Sequence, residues 1–297
     1  MAKTFTLSTD SCVDMYKSEL ERRGIYCINL KYILDDQVVS VLYEKESEYD
    51  DFYNLIAKGA MPTTTQINPQ EFKEHFEKIL AAEKEGDIIH ISLSGGLSKT
   101  CENAKNTADE MNKTLNGRKI YVLDSLICCC GIEVQLNRFE ELRKTGVPAE
   151  KAIKIVEELR DGQNVWIIVN DLFHLKRGGR ISGPKAVIGT VLGIKPIIIF
   201  AANGKLAIEN KMRGTKKAVA YILSKMKEMS NSSDFSGQDL YVIKTSQSDT
   251  ADELDAAVRA MYPKATVKHR RIGPIIGTHV GNGMACVLFN GKKRLDI

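Results

Sequence analysis

Four short segments carry residue types that suit chemistry on an anion. The first is Ser94-Gly95-Gly96-Leu97-Ser98-Lys99-Thr100, set between an apolar strand pattern and a helical one. Glycines there let the backbone approach a ligand closely, and a helix start offers unpaired N–H groups and partial positive charge. The order is not that of a phosphate loop, because GxxxxGK[ST] is absent. The segment serves a carboxylate or a phosphate, or is an ordinary serine-capped turn.

The second segment is Pro62-Thr63-Thr64-Thr65-Gln66, whose hydroxyls can donate to a bound anion or merely cap a helix. The third is Leu175-Lys176-Arg177-Gly178-Gly179-Arg180-Ile181, placed after an apolar strand and before a short helix expected near Pro184. Two glycines between cations expose backbone beside guanidinium groups, which suits phosphate. The competing reading is a solvated basic turn. The fourth runs from Gly273 to Gly283 and reads as a glycine-rich loop holding Thr278 and His279. A histidine in that setting can donate to a carboxylate or take part in proton transfer. The other histidines, His75, His90, His174 and His269, have no comparable surroundings. No second His or Cys lies at ligand spacing from His279, so no metal site is expected.

These segments need elements to position them. Asn68-Pro69 starts a helix with a cap and a first-turn proline, and Phe72, Phe76, Ile79 and Leu80 form its apolar stripe. Strands are expected at Phe5–Ser8, Ile25–Leu30, Asp87–Leu93 and Lys119–Leu123, with a hairpin from Tyr32 to Tyr43. This alternation predicts a three-layer α/β/α domain with a mostly parallel sheet. Ligands sit outside the carboxyl ends of such strands, so Thr9-Asp10-Ser11, Ser94-Gly95-Gly96 and Asp124-Ser125 are expected to share one rim. Beyond a boundary at residue 162, Asn203-Gly204 marks a hairpin between Ile194–Phe200 and Lys205–Met212. Helices over Thr215–Met229 and Thr250–Met261, with further strands, predict a C-terminal α+β domain with a mainly antiparallel sheet. The expected domains are 1–162 and 163–297.

The whole chain narrows the function classes. Its 297 residues are 43% hydrophobic and 27% charged, enough for two packed cores. The 42 basic and 38 acidic side chains leave a net +4 spread along the chain, which argues for no nucleic acid. No apolar run approaches a bilayer span, so no stable membrane insertion is expected. The opening MAKTFTLSTDS lacks a signal-peptide pattern, and a cytoplasmic protein with reduced thiols is expected from its seven cysteines. Cys128-Cys129-Cys130 invites a metal or redox reading. The plainer reading packs them at one end of a helix.

Taken together, Ser8-Thr9-Asp10-Ser11-Cys12, Thr64-Thr65-Gln66, the Ser94–Thr100 turn, Val122-Leu123-Asp124-Ser125, the run from Leu175 to Ser182, Ile194-Lys195-Pro196-Ile197 and Gly277-Thr278-His279-Val280-Gly281 resemble the DegV family in order and spacing. The resemblance spans essentially the whole chain. It implies a non-enzymatic protein that holds a long-chain fatty acid in an apolar tunnel between or within its domains, with no cofactor. It implies that Thr64, Ser94, Gly95 and His279 hold the carboxylate at the domain interface, with Ser98 and Thr278 beside them. The family's GGR arginine falls on Arg180, an expected support for phosphoryl transfer. Several members serve as acyl-carrying subunits of a fatty acid kinase, where a separate ATP-dependent subunit phosphorylates the carboxylate. Two departures stand out: Gly95 and Lys99 replace a serine and a glycine of the family pattern, and three cysteines begin the helix after Asp124-Ser125. The rival reading is an enzyme of phosphoryl transfer or hydrolysis on a small anion at the same site. Neither a nucleotide loop nor a GxSxG turn supports it.

Overall fold

The computed structural model describes residues 4–181, 193–246 and 248–296. The helix expected near Pro184, and Ser182, lie outside the described residues. The chain runs through β1 (Phe5–Asp10), α1 (Lys17–Arg22), β2 (Ile25–Ile28), β3 (Lys31–Leu34), β4 (Gln37–Ser40), α2 (Glu46–Ala57), β5 (Thr63–Thr65) and α3 (Pro69–Ala82). It continues with β6 (Asp87–Ser92), α4 (Thr100–Asn112), β7 (Ile120–Asp124), α5 (Cys130–Lys144), α6 (Ala149–Asp161), β8 (Gln163–Ile168), α7 (Phe173–Arg177), β9 (Ile194–Phe200) and β10 (Leu206–Arg213). Last come α8 (Thr215–Met229), β11 (Asp239–Lys244), α9 (Asp249–Met261), β12 (Thr266–Arg271), α10 (Pro274–Val280) and β13 (Ala285–Asn290). By contact the chain divides into two units. One comprises the described residues of Met1–Lys45 and Thr64–Arg160, the other those of Glu46–Thr63 and Asp161–Ile297.

The first unit is built on a four-stranded sheet of order β2-β1-β6-β7, with every neighbouring pair parallel. Alternation along β1 sends Phe5 and Ser8 to opposite faces. Phe5 meets Phe139 of α5 edge-on at 6.0 Å. On the other face His90 lies against Phe72 and Phe76 of α3, at 5.3 and 5.7 Å. Helices therefore cover both faces, as the βα alternation requires. A capping box fixes the start of α3: Asn68 Oδ1 accepts from Glu71 N, and Glu71 Oε2 accepts from Asn68 N. A second sheet, β4-β3-β5, carries the threonine segment, of which Thr63–Thr65 forms a short strand.

The face under α3 holds a polar chain that sequence reading passed over. Ser8 Oγ lies 2.7 Å from His75 Nε2 and 2.9 Å from His90 Nδ1. One hydroxyl can donate to one imidazole and accept from the other. Burial holds both rings neutral; His75 is pushed down to about 4, and His90 falls well below the usual histidine range.

The second unit carries a six-stranded sheet of order β10-β9-β8-β13-β11-β12, antiparallel except for β11 with β12. Ile222 and Met226 of α8, Leu254 and Val258 of α9, and Trp166, Ile199, Val287 and Phe289 of the strands share its core. Residues 46–63 join this unit through specific bonds. Arg271 Nη1 reaches Glu46 and Asp50 at 3.0 and 2.8 Å, and Tyr53 Oη donates to the Ile272 carbonyl at 2.9 Å. The expected loop around His279 is a correction: Pro274–Val280 is a helix. Pro274 sits in its first turn, and the Gly277 and Gly281 amides donate to the Gly273 and Gly277 carbonyls at 2.8 Å.

The histidine chain makes stability pH-dependent. His75 titrates lower in the folded chain than at its usual 6.5. Between those values the unfolded chain binds a proton that the folded chain refuses, so acid removes stability. We expect His75→Gln to lose on the order of 2 kcal/mol less than the parent between about pH 7 and about pH 5, measured by urea unfolding. Equal losses in the two proteins would contradict this.

Candidate functional site

In the first unit, β1 and β6 are neighbours whose onward connections run to opposite edges, so their carboxyl ends form the sheet's switch point. Asp10 closes β1 there and is fully buried. Its carboxylate accepts from Leu93 N at 2.8 Å, Ser92 Oγ at 3.1 Å and Cys12 N at 3.1 Å. Burial raises its pKa to about 6, against those three donors, which pull it down. Asp10 thereby fixes the backbone on which Ser94 hangs.

Ser94 is buried, with its amide donating to the Ile127 carbonyl at 2.9 Å and its Oγ accepting from Gly96 N at 3.1 Å. Gly95 is exposed, and its amide donates to both Asp124 carboxylate oxygens at 3.1 and 3.2 Å. A Cβ at position 95 would lie 2.6 Å from Asp124 Oδ2, so a larger residue there would require the Asp124 carboxylate to shift. Ser98 Oγ accepts from Thr100 N at 3.2 Å and lies 2.9 Å from Thr100 Oγ1, just ahead of α4. Thr100 Oγ1 also accepts from Ile67 N at 3.3 Å, and Asn103 donates to the Ile67 carbonyl at 2.8 Å. These bonds tie the chain just after half-buried Thr64 to the start of α4. Ser94, Gly95 and Ser98 thus lie in one hydrogen-bonded turn of the first unit, and Ile67, three residues after Thr64, is bonded to the helix that follows this turn. Asp10 and Asp124 organise the turn, from the strand ends that were expected to share its rim.

A cleft of about 430 Å³ also opens in this unit along the β2 edge, lined by Lys17, Tyr26, Asn29, His75 and Lys78 among others. None of the expected site residues lines it.

Arg180, Thr278 and His279 belong to the second unit. Thr278 and His279 are buried on α10. Arg177 of α7 donates to the Thr278 carbonyl at 3.4 Å and to the Met61 carbonyl at 3.3 Å. Arg180 turns back to donate from Nη1 to the Gly178 carbonyl, and burial lowers its pKa. Burial pushes His279 down to about 4, helped by the charges of Arg180 and Arg177. A neutral His279 offers one N–H donor and one acceptor. Gly178 makes room for this ring, because an added Cβ would overlap His279 Nδ1. Gly281, at φ 71°, does the same for the ring of His174. Gly178 and Gly281 thus leave room for the two imidazole rings.

Among the described residues, no group of three or more His, Cys, Asp or Glu side chains is placed to hold a metal ion. Among the same residues, no helix is long and apolar enough to cross a membrane.

A family model described as "Uncharacterised protein, DegV family" matches residues 4–292. The chain belongs to the DegV family. Curated relatives include a DegV domain-containing protein of Caldanaerobacter subterraneus, 30% identical over 285 residues, covering 96% of this chain and 98% of that one. Another, from Clostridium perfringens, is 29% identical and covers 98% and 99%. Among solved structures, DegV of Bacillus subtilis, described as a fatty acid binding protein, is 28% identical with a TM-score of 0.81, covering 98% and 100%. A DegV family protein of Thermus thermophilus, described by its fatty acid binding, is 26% identical with a TM-score of 0.83 over the same shares. The DegV fold accounts for the parallel four-stranded sheet and the mainly antiparallel six-stranded one.

The glycine at 178 yields a test. Gly178→Ala places a methyl group against the His279 ring, and we expect a loss of about 1–3 kcal/mol in denaturant unfolding from overpacking. Unchanged stability would mean that the ring is not held against this backbone.

Proposed function

We propose that this DegV protein binds a long-chain fatty acid. The observation that carries the reading is the likeness to B. subtilis DegV over 98% of this chain, which reaches from the serine-glycine turn to the His279 helix. Physical argument supports it. Burying an acyl chain contributes about 0.8 kcal/mol per CH₂, so the tail supplies most of the affinity. Burying the carboxylate is costly unless donors meet it. Hydroxyls and backbone amides in the first unit, with a neutral histidine in the second, are the donors that such a head group needs. We assign Thr64, Ser94, Gly95 and Ser98, with Thr278 and His279, to the carboxylate. Gly95 contributes its amide alone, so Asp124 must yield that N–H when the acid arrives.

The protein itself is read as a carrier rather than a catalyst. It presents the carboxylate to a separate ATP-dependent kinase subunit, and Arg180 neutralises charge as acyl phosphate forms. Half-burial of Arg180 beside Gly178 supports this, because a guanidinium there keeps its charge while shedding part of its water.

Titration of delipidated protein with palmitate or oleate tests the binding. We expect saturable uptake, weakened roughly tenfold or more by Ser94→Ala or by His279→Ala, as expected for losing a charge-assisted hydrogen bond. No saturable uptake would overturn the reading. With the kinase partner added, Arg180→Ala should lose most acyl-phosphate formation, and unchanged formation would remove Arg180 from that role.

A further inference from the structure

Three consecutive cysteines stand where the turn after β7 becomes α5, and the acyl reading gives them no task. Cys130 is the first helical residue and is buried. Cys129 is only 3% exposed, whereas Cys128 is half-buried. The Cys128 and Cys129 sulfurs lie 3.5 Å apart. Cys129 has φ 55° and ψ −137°, a backbone conformation that residues with a Cβ avoid. Its amide donates to the Cys12 carbonyl at 2.7 Å, which holds it there. Strain of this kind points to a task for the two thiols that it brings together.

We propose that Cys128 and Cys129 form a thiol-exchange site that closes into a vicinal disulfide on meeting an oxidised low-molecular-weight disulfide, and that closure loosens the Ser94–Gly95 turn. Cys128 is the accessible partner and reacts first. Its thiol gives a proton to water, and its sulfur attacks the small disulfide. That S–S bond breaks, one small thiol leaves, and a mixed disulfide remains on Cys128. Burial, with the Cys128 sulfur and the Asp14 carboxylate beside it, raises the pKa of the Cys129 thiol, and its proton passes to the small thiolate as that group departs. The Cys129 sulfur then attacks the Cys128 sulfur, and the second small thiol leaves. Two protein thiols have lost two hydrogens, and one small disulfide has become two thiols.

Adjacent Cα atoms are about 3.8 Å apart, below the roughly 4.4 Å that unstrained disulfides need. The ring is therefore strained and readily reduced, which makes a reversible switch rather than a brace. The link to the turn is short. The Ile127 carbonyl, adjoining Cys128, accepts from Ser94 N at 2.9 Å and from Ser125 Oγ at 2.8 Å. Asp124, in the same turn, holds Gly95 N. Drawing the two sulfurs together must rotate the peptides around Cys128 and so disturb these bonds. The consequence for a fatty acid head group rests on the function proposed above; the disulfide and the loosened turn do not.

The test incubates the full-length protein in glutathione buffers of rising glutathione disulfide content. Denaturing alkylation, peptide mapping and amide hydrogen exchange are then read. The expected result is two fewer alkylated thiols, a 128–130 peptide lighter by two hydrogens, and exchange in residues 93–98 faster by roughly tenfold. Cys129→Ser should stop at a mixed disulfide on Cys128, and Cys130→Ser should behave as the parent. A linkage mapped to Cys12 or Cys130, a parent protein that halts at the mixed disulfide, no oxidation, or a disulfide without faster exchange would each overturn the proposal. In parallel, palmitate affinity should fall roughly tenfold on oxidation. If neither form binds palmitate while disulfide and exchange respond, the acyl reading fails and the thiol site stands.

Discussion

Two carboxylates at the ends of parallel strands hold the first unit's polar rim in shape. Asp10 gathers Leu93 N, Ser92 Oγ and Cys12 N, and Asp124 gathers Gly95 N and Leu126 N. Without Asp10, the buried Leu93 N and Ser92 Oγ at the end of β6 would lose this acceptor, at a cost of about 1–3 kcal/mol each. Once the chain leaving β6 is fixed, Ser94, Gly95 and Ser98 have defined positions, and Ser98 Oγ accepts from Thr100 N at the start of α4. The apolar packing of Phe5, Phe72, Phe76 and Phe139 sets where the strands end. These few polar contacts then decide what the strand ends present.

The second unit solves a different problem. A histidine must be kept neutral and oriented close to two arginines. Burial on α10 keeps it neutral, and bare backbone at Gly178 leaves its ring in place. Arg177 pins the carbonyl of Thr278, the preceding residue, and so sets the helix that carries the ring. Residues 46–63 reinforce this helix from another side, where Asn282 donates to the Tyr53 carbonyl at 3.2 Å. A conserved-volume change would not reproduce the arrangement, because the space occupied by His279 is the space a Cβ at 178 would take.

Much of this was legible in the sequence. The βα alternation up to Asp124 gave the parallel sheet, and Asn203-Gly204 gave the β9–β10 hairpin, because period and turn chemistry are local properties. The Asn68 cap was visible as Asn-Pro, while the part played by Glu71 in the capping box was not. Helix α10 was not, since three of its surrounding positions are glycine, and glycine argues against helix unless tertiary packing overrides it. Tyr53 and Arg177 supply that packing from far away in sequence. The Ser8–His75–His90 chain was equally hidden, for it needs the β1–β6 register and the face of α3 at once. Among site residues, the hydroxyls were nameable from type and spacing. Asp10 and Asp124 were placed on the same rim by the strand ends, but the amides that they hold became clear only in the structure.

The central claim is that the polar residues of this chain exist to receive a fatty acid carboxylate. Mass spectrometry of lipid extracted from the natively purified protein tests it most directly. The account predicts a long-chain fatty acid near one per chain, depleted in Ser94→Ala and His279→Ala. A phosphorylated small molecule in its place, or a fatty acid retained in full by both variants, would contradict it.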